Sequence, residues 1–111
     1  MKQATAVDPA VLAEVIRRVV EVAQPDRIIL FGSAARDDMG PDSDIDLLVV
    51  KSDVTDRGKL AEDIHLSFFG LAVSVDVLVV TPEDIARYSD KVGTIIGPAL
   101  REGREVYAAR S

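Results

Sequence analysis

Cysteine is absent from this chain of 111 residues, and histidine occurs only once. The lack of cysteine excludes disulfides, zinc–thiolate sites and cysteine nucleophiles, and a single histidine excludes a metal site built from several histidines. Long apolar runs are also missing, because the longest hold four or five residues, against the ~20 that cross a bilayer. The N-terminal stretch lacks the apolar segment of a secretory signal. We therefore expect a cytoplasmic protein that makes no use of a membrane.

Basic residues are fewer than acidic ones, with 13 Lys and Arg against 19 Asp and Glu and a formal net charge of -6. This balance argues against direct nucleic-acid binding, which depends on the neutralisation of phosphates by basic side chains. It leaves open a phosphate-bearing substrate that arrives with divalent cations. The length and the 48% hydrophobic content suit one hydrophobic core, and we expect a single domain over residues 1–111.

Helical and strand patterns alternate along the chain. The predicted elements are a helix from Asp8-Pro9 to Pro25, a strand over 27–31, a strand over 44–50, a helix over 55–69, a strand over 73–80, a helix from Thr81-Pro82, a helix over 92–100 that Gly103 ends, and an edge strand at Val106-Tyr107. Because proline interrupts helices, a kink or break is expected at Pro98. The pattern indicates an α/β (α+β) fold: a small mixed or antiparallel sheet with flanking helices.

Two acidic residues stand at the start of the second predicted strand. Asp44 and Asp46 are two positions apart, and the period of a strand places both carboxylates on one face. Two such charges repel unless a cation lies between them, and Mg²⁺ is the natural hard cation for oxygen ligands. A solvated strand end is the alternative. A calcium loop starting at Asp42 is a further alternative, although it has Leu47 where the loop needs glycine.

Asp76 lies within the apolar run VSVDVLVV. A carboxylate there is costly if it is buried without a partner. If this strand lies beside the strand of Asp44 and Asp46, three carboxylates converge, and such a set can hold two divalent ions for in-line phosphoryl transfer. The alternative is an aspartate on the solvent face of a half-exposed strand.

A Gly-Ser pair follows the first predicted strand. Gly32 allows a ligand to approach the backbone closely, Ser33 offers a hydroxyl donor, and Arg36 offers a charged group for a phosphate or carboxylate. The lysine-containing ending of a P-loop is absent. Alone, the pair is typical of a plain turn; its position shortly before Asp44 and Asp46 favours a nucleoside triphosphate site.

Taken together, GSAAR, DSDIDLLVV and the later VDVLVV resemble the signature of the minimal nucleotidyltransferases of the DNA polymerase beta-like superfamily. The resemblance covers about Arg27 to Val80. It implies that Gly32, Ser33 and Arg36 bind the triphosphate. It also implies that Asp44, Asp46 and Asp76 are catalytic and hold two metal ions, most plausibly Mg²⁺, with Asp76 able to act as the base.

The resemblance further implies an activity and a partner. The reaction would transfer a nucleoside monophosphate, AMP from ATP, to a hydroxyl group, and small prokaryotic members are often antitoxins that modify a HEPN-domain toxin. We expect no additional domain to hold an acceptor, so a partner protein or a homodimer would complete the site. Small members usually have glycine after the arginine, whereas Asp37-Asp38 follow Arg36. Two alternatives remain: an antitoxin that acts by binding alone, and a nucleotidyltransferase for a small molecule.

Overall fold

The computed structural model describes residues 8–32, 44–88 and 96–109. Within them the chain forms, in order, α1 (Pro9–Ala23), β1 (Arg27–Phe31), β2 (Ile45–Val50), α2 (Arg57–Ser67), β3 (Val75–Val80), α3 (Pro82–Tyr88), α4 (Ile96–Glu102) and β4 (Arg104–Ala108). A mixed sheet with flanking helices was predicted from the sequence and is confirmed. In these three ranges no helix combines the length and the apolar character needed to cross a membrane.

The strands form one four-stranded sheet in the order β3-β2-β1-β4. β1 is antiparallel to both of its neighbours, β2 and β4, whereas β2 and β3 are parallel. A parallel pair needs a long crossover connection, and α2 lies in that connection. The predicted edge strand at Val106-Tyr107 is present as part of β4.

Helices cover both faces of the sheet, a point that the sequence pattern left undecided. α1 and α2 pack on one face, where Val15, Val19 and Ile64 meet alternate strand residues such as Leu30 and Leu47. On the other face α4 packs against the intervening strand positions, and its buried residues Ile96 and Ala99 meet Ile29, Leu48 and Val50. Because both faces are covered, the central strands read as continuous apolar runs rather than as alternating ones.

The ends of α1 follow from local chemistry. The Asp8 carboxylate accepts a hydrogen bond from the Ala10 N–H at 2.9 Å, and Pro9 occupies the first helical position. At the other end Gln24 adopts a left-handed conformation with φ 46° and donates its N–H to the Val20 carbonyl. This geometry closes the last turn and directs the chain into β1.

Three elements begin later than the sequence predicted: α2, β3 and β2, which begins at Ile45 rather than at Asp44. α2 does not include Thr55, because Asp56 is the N-cap and its carboxylate accepts the Lys59 N–H at 3.0 Å. β3 begins at Val75 rather than at Val73. Each element is therefore shorter than the predicted segment and keeps only the residues that pair with another strand or pack against the sheet.

Of the kink or break expected at Pro98, the break is absent, because α4 continues through this residue to Glu102; the kink stays a prediction. Pro98 is the third residue of the described helix, and N–H groups in a first turn have no acceptor within the helix. Gly103 ends the helix as predicted, and its N–H donates to the Ala99 carbonyl at 2.8 Å. The predicted helical residues Val92 and Ile95 lie outside the described part of the chain.

Candidate active site

The parallel pair of β2 and β3 places two of the predicted carboxylates side by side. In its register Asp46 lies directly opposite Asp76. Residues that are opposite in a sheet project from the same face, so both side chains lie on the α4 side. Asp46 is partly buried and Asp76 is exposed. The strand of Asp76 therefore does lie beside the strand of Asp46, and Asp76 also has the solvent access that the alternative interpretation required.

Asp44 occupies the position immediately before β2 and is partly buried. Among residues 8–32, 44–88 and 96–109, no group of three or more His, Asp or Glu side chains is close enough to hold a metal ion. Strand pairing thus places Asp46 and Asp76 next to each other. The convergence of all three carboxylates stays a prediction. The calcium-loop alternative is wrong, because Leu47 to Val50 form a buried strand and not a loop.

Gly32 lies against the Asp46 carboxylate at the end of β1. Phe31, the last residue of that strand, pairs with Asp46 across the antiparallel ladder. Gly32 has φ +73°, and a Cβ atom added there would overlap with Oδ2 of Asp46. Both the conformation and the space therefore demand glycine. The backbone consequently turns away from β1 in direct contact with a candidate metal ligand.

Within the described residues, burial of the sheet decreases at this point. On the same face as Asp46, the next strand residues Leu48 and Val50 are buried beneath α4. On β3 the corresponding residue after Asp76 is Leu78, which remains 36% exposed. The sequence analysis did not single out Leu78, although its spacing of two from Asp76 places it on the same face. Among the described residues, the site is thus an acidic end of the sheet at which Asp76 and Leu78 are exposed.

The chemistry of these donors fits a hard divalent cation. The site offers carboxylate oxygens, which Mg²⁺ prefers, and adjacent carboxylates are stabilised by a shared cation. Within the described ranges no Lys, Arg or His forms an ion pair with Asp44 or Asp76. The predicted phosphate-binding residues Ser33 and Arg36 lie outside the described residues, as do Asp37 and Asp38.

Asp84, near the start of α3, has a lowered pKa. At the start of α3, Thr81 and Asp84 form a reciprocal cap, with Thr81 N–H to Asp84 Oδ2 at 3.0 Å and Asp84 N–H to Thr81 Oγ1 at 3.1 Å. Partial burial opposes ionisation of Asp84, but the Thr81 hydrogen bonds and the Arg57 guanidinium outweigh it and lower the pKa of that carboxyl. This cap fixes the helix that follows β3.

Comparison with known proteins identifies the family of this arrangement. The model of the nucleotidyltransferase domain family matches residues 12–97, which is well over half of the chain. The matched range contains β1, β2 and β3, and with them Gly32, Asp44, Asp46 and Asp76. No curated protein is similar enough in sequence to count as a relative.

Solved structures share the fold at low sequence identity. A candidate nucleotidyltransferase from Sulfolobus solfataricus is 19% identical, with a TM-score of 0.61 over 89% of this chain and 78% of that one. A mutant of the toxin-antitoxin MntA-HpeT, with two aspartates two positions apart changed to glutamate, is 18% identical, with a TM-score of 0.54 over 94% and 75%. A toxin-antitoxin with AMP-PNP is 19% identical, with a TM-score of 0.57 over 94% and 76%.

Proposed function

This chain belongs to the nucleotidyltransferase domain family, and from that premise we propose that it transfers AMP from ATP to a hydroxyl group of a partner protein. The partner we propose is a HEPN-domain toxin, which makes this chain its antitoxin. The observation that carries the proposal is the register of Asp46 opposite Asp76, with Gly32 against the Asp46 carboxylate. These residues combine the candidate metal ligands with a backbone that a phosphate group can approach closely.

Asp44, Asp46 and Asp76 would hold the metal ions that this family implies, and their oxygen donors fit Mg²⁺. Bound there, two Mg²⁺ ions would supply neutralisation of the phosphate charge during transfer. Asp46 is suited to act as a metal ligand in a fixed position, because contact with Gly32 and strand pairing with Phe31 restrict the movement of this residue. Ser33 and Arg36 would add a hydroxyl and a guanidinium to the triphosphate, whereas Gly32 would offer its unobstructed backbone.

Asp76 is the residue we assign to the proton of the acceptor. In the proposed step the hydroxyl oxygen forms a bond to the α-phosphorus of ATP, and the bond between that phosphorus and the bridging oxygen breaks. Pyrophosphate leaves, and the hydroxyl proton passes to the Asp76 carboxylate. The exposure of Asp76 supports this role, because a hydroxyl that belongs to another protein must reach it from outside.

The structural neighbours support a toxin as the partner. Two of them are toxin-antitoxin structures, and one of these contains AMP-PNP, an analogue of ATP. In one, the changed aspartates have the spacing that Asp44 and Asp46 have here. We further propose that the chain works as a single domain in the cytoplasm.

Labelling with ATP tests this function. The purified chain is incubated with Mg²⁺ and ATP labelled at the α-phosphate, with and without the protein encoded by the neighbouring reading frame. We expect label on the partner, and we expect Asp44→Asn with Asp46→Asn to abolish it. Asp53→Asn is the matched control, because Asp53 is an exposed aspartate beyond the far end of β2 with φ 61°, which asparagine tolerates.

The outcomes separate the alternatives. Label that survives the double substitution would place the chemistry elsewhere. A stable complex without label would favour an antitoxin that acts by binding alone. Label on an added small hydroxyl compound, but not on the protein, would favour a small-molecule enzyme.

A further inference from the structure

The outer edge of β3 is open in the described part of the chain. β3 is the terminal strand on its side of the sheet. The carbonyls of Ser74 and Val80 both accept hydrogen bonds, at 2.9 Å, from the neighbouring β2 segment. In a parallel strand the N–H and C=O of one residue point to the same side, and that side alternates along the strand. The even-numbered residues of β3 therefore face β2.

The odd-numbered residues of β3 face outward. Val75, Val77 and Val79 direct their N–H and C=O groups away from β2, and no backbone or side-chain group in the described ranges bonds to them. Their side chains pack into the core on the α1 and α2 face. The edge thus presents a row of alternating donors and acceptors, which is the complement of an extended polypeptide backbone.

The two edges of the sheet differ in how they are protected. β4, the opposite edge, carries the exposed charged residues Arg104 and Glu105, and such charges discourage pairing with another strand. β3 has no lysine, arginine or proline, and its one charged residue is Asp76. An edge with five apolar residues among six, and without these safeguards, is an efficient template for strand addition.

This edge lies next to the candidate active site. A strand added to β3 would bring one side chain to about 5 Å, Cβ to Cβ, from Asp76 on the same face. The next side chain on that face would meet Leu78, which is 36% exposed. An acceptor hydroxyl opposite Asp76 and an apolar residue two positions away would fit these two side chains.

We infer that the outer edge of β3 is the acceptor-binding surface, to which an extended segment of the partner protein adds as a further strand. The hydroxyl-bearing residue of that segment lies opposite Asp76, with an apolar residue on Leu78. This inference rests on the proposed function and names how its protein substrate is held. Backbone pairing supplies the binding, and Leu78 supplies part of the selectivity.

Hydrogen exchange of the chain, alone and in complex with the protein from the neighbouring reading frame, tests the surface directly. We expect the amides of Val75, Val77 and Val79 to become protected in the complex, while those of Asp76 and Leu78, already directed at β2, change little. Unchanged exchange at the three outward amides, or no complex at all, would overturn the inference. Protection in the free chain that grows with its concentration would also overturn it, because a second copy would then occupy the edge.

Variants separate this surface from the catalytic site. Val77→Pro removes an outward N–H without removing a bond to β2, and we expect transfer to the partner to fall by about tenfold or more. Leu78→Gln, expected to lower transfer through a higher KM for the partner, covers the case in which the proline variant does not fold. Leu66→Gln is its matched control, since Leu66 is 69% exposed on α2.

Measurement of ATP binding distinguishes an error in the proposed binding surface from an error in the proposed function. We expect both edge variants to bind ATP with Mg²⁺ as the wild type does. Unimpaired transfer by both would refute the surface while leaving the function intact. If the outward amides of β3 are protected in a complex that shows no AMP transfer, the β3 edge is still the binding surface, but the proposed transfer activity is refuted.

Discussion

Replacement of Gly32 by alanine probes the contact on which the site is built. Gly32 has φ +73°, and an L-residue in that region costs about 1–2 kcal/mol. For a domain of this size, each kcal/mol lowers Tm by about 4–8 °C. Gly32→Ala also drives Cβ into the Asp46 carboxylate, which must move by roughly an ångström. Displacements of that size at a catalytic group can cost about 100-fold in rate.

Gly70→Ala reproduces the conformational cost without the contact, so comparison of the two variants isolates the effect on Asp46. Gly70 also has a positive φ, +88°, but a Cβ there meets no atom within 4 Å. Both variants should therefore melt several degrees below the wild type, as measured by circular dichroism. Only Gly32→Ala should lose Mg²⁺-dependent transfer, measured with labelled ATP well below Tm. If the two variants transfer equally well, the contact between Gly32 and Asp46 has no part in the chemistry and the reasoning is refuted.

Three further perturbations follow from the structure. Asp76→Asn should abolish transfer without lowering Tm, because no cation in the described ranges is paired with this exposed carboxylate; a large drop in Tm would contradict that. Gly103→Ala should destabilise by about 1–3 kcal/mol in urea, because its Cβ would overlap with backbone oxygens of α4 and β1, and an unchanged midpoint would refute this packing. Asp84 has a lowered pKa, so its stabilising contribution is present above its ordinary value of 3.8 and is lost as pH falls through the lowered value. Asp84→Asn should therefore reduce stability at neutral pH and flatten its decline in acid, whereas an unaltered pH dependence of the urea midpoint would contradict the assignment.

Much of the fold could be predicted from the sequence, because proline, glycine and capping residues mark the ends of several helices and strands. β1 spans residues 27–31 as predicted, since a buried apolar run lies between Pro25 and Gly32. α1 is equally clear, with Asp8 and Pro9 at its start. The ends of α2 are harder to predict, because Ile64 is its one buried residue and few apolar residues follow helical spacing there.

The site was only partly predictable for a different reason. The spacing of Asp44, Asp46 and Asp76 identifies candidate ligands, but the alignment of Asp46 with Asp76 depends on the register of two strands joined through α2. Nothing local in either strand fixes that register. The lack of space for a Cβ at position 32 likewise comes from a neighbouring strand, since it arises from the Asp46 side chain. These are tertiary facts, and only the structure supplies them.

Paramagnetic broadening by Mn²⁺ in the presence of ATP tests the central claim most directly, and it needs no partner. Mn²⁺ takes the oxygen ligands that suit Mg²⁺, and it broadens the amide signals nearest to it in an NMR spectrum. We predict the strongest broadening at Gly32, Asp46 and Asp76, with the effect falling along β2 towards Val50, roughly 13 Å away. Broadening centred instead on the groove that includes Asp53, Asp56 and Asp63, beyond the far end of β2, would contradict the account.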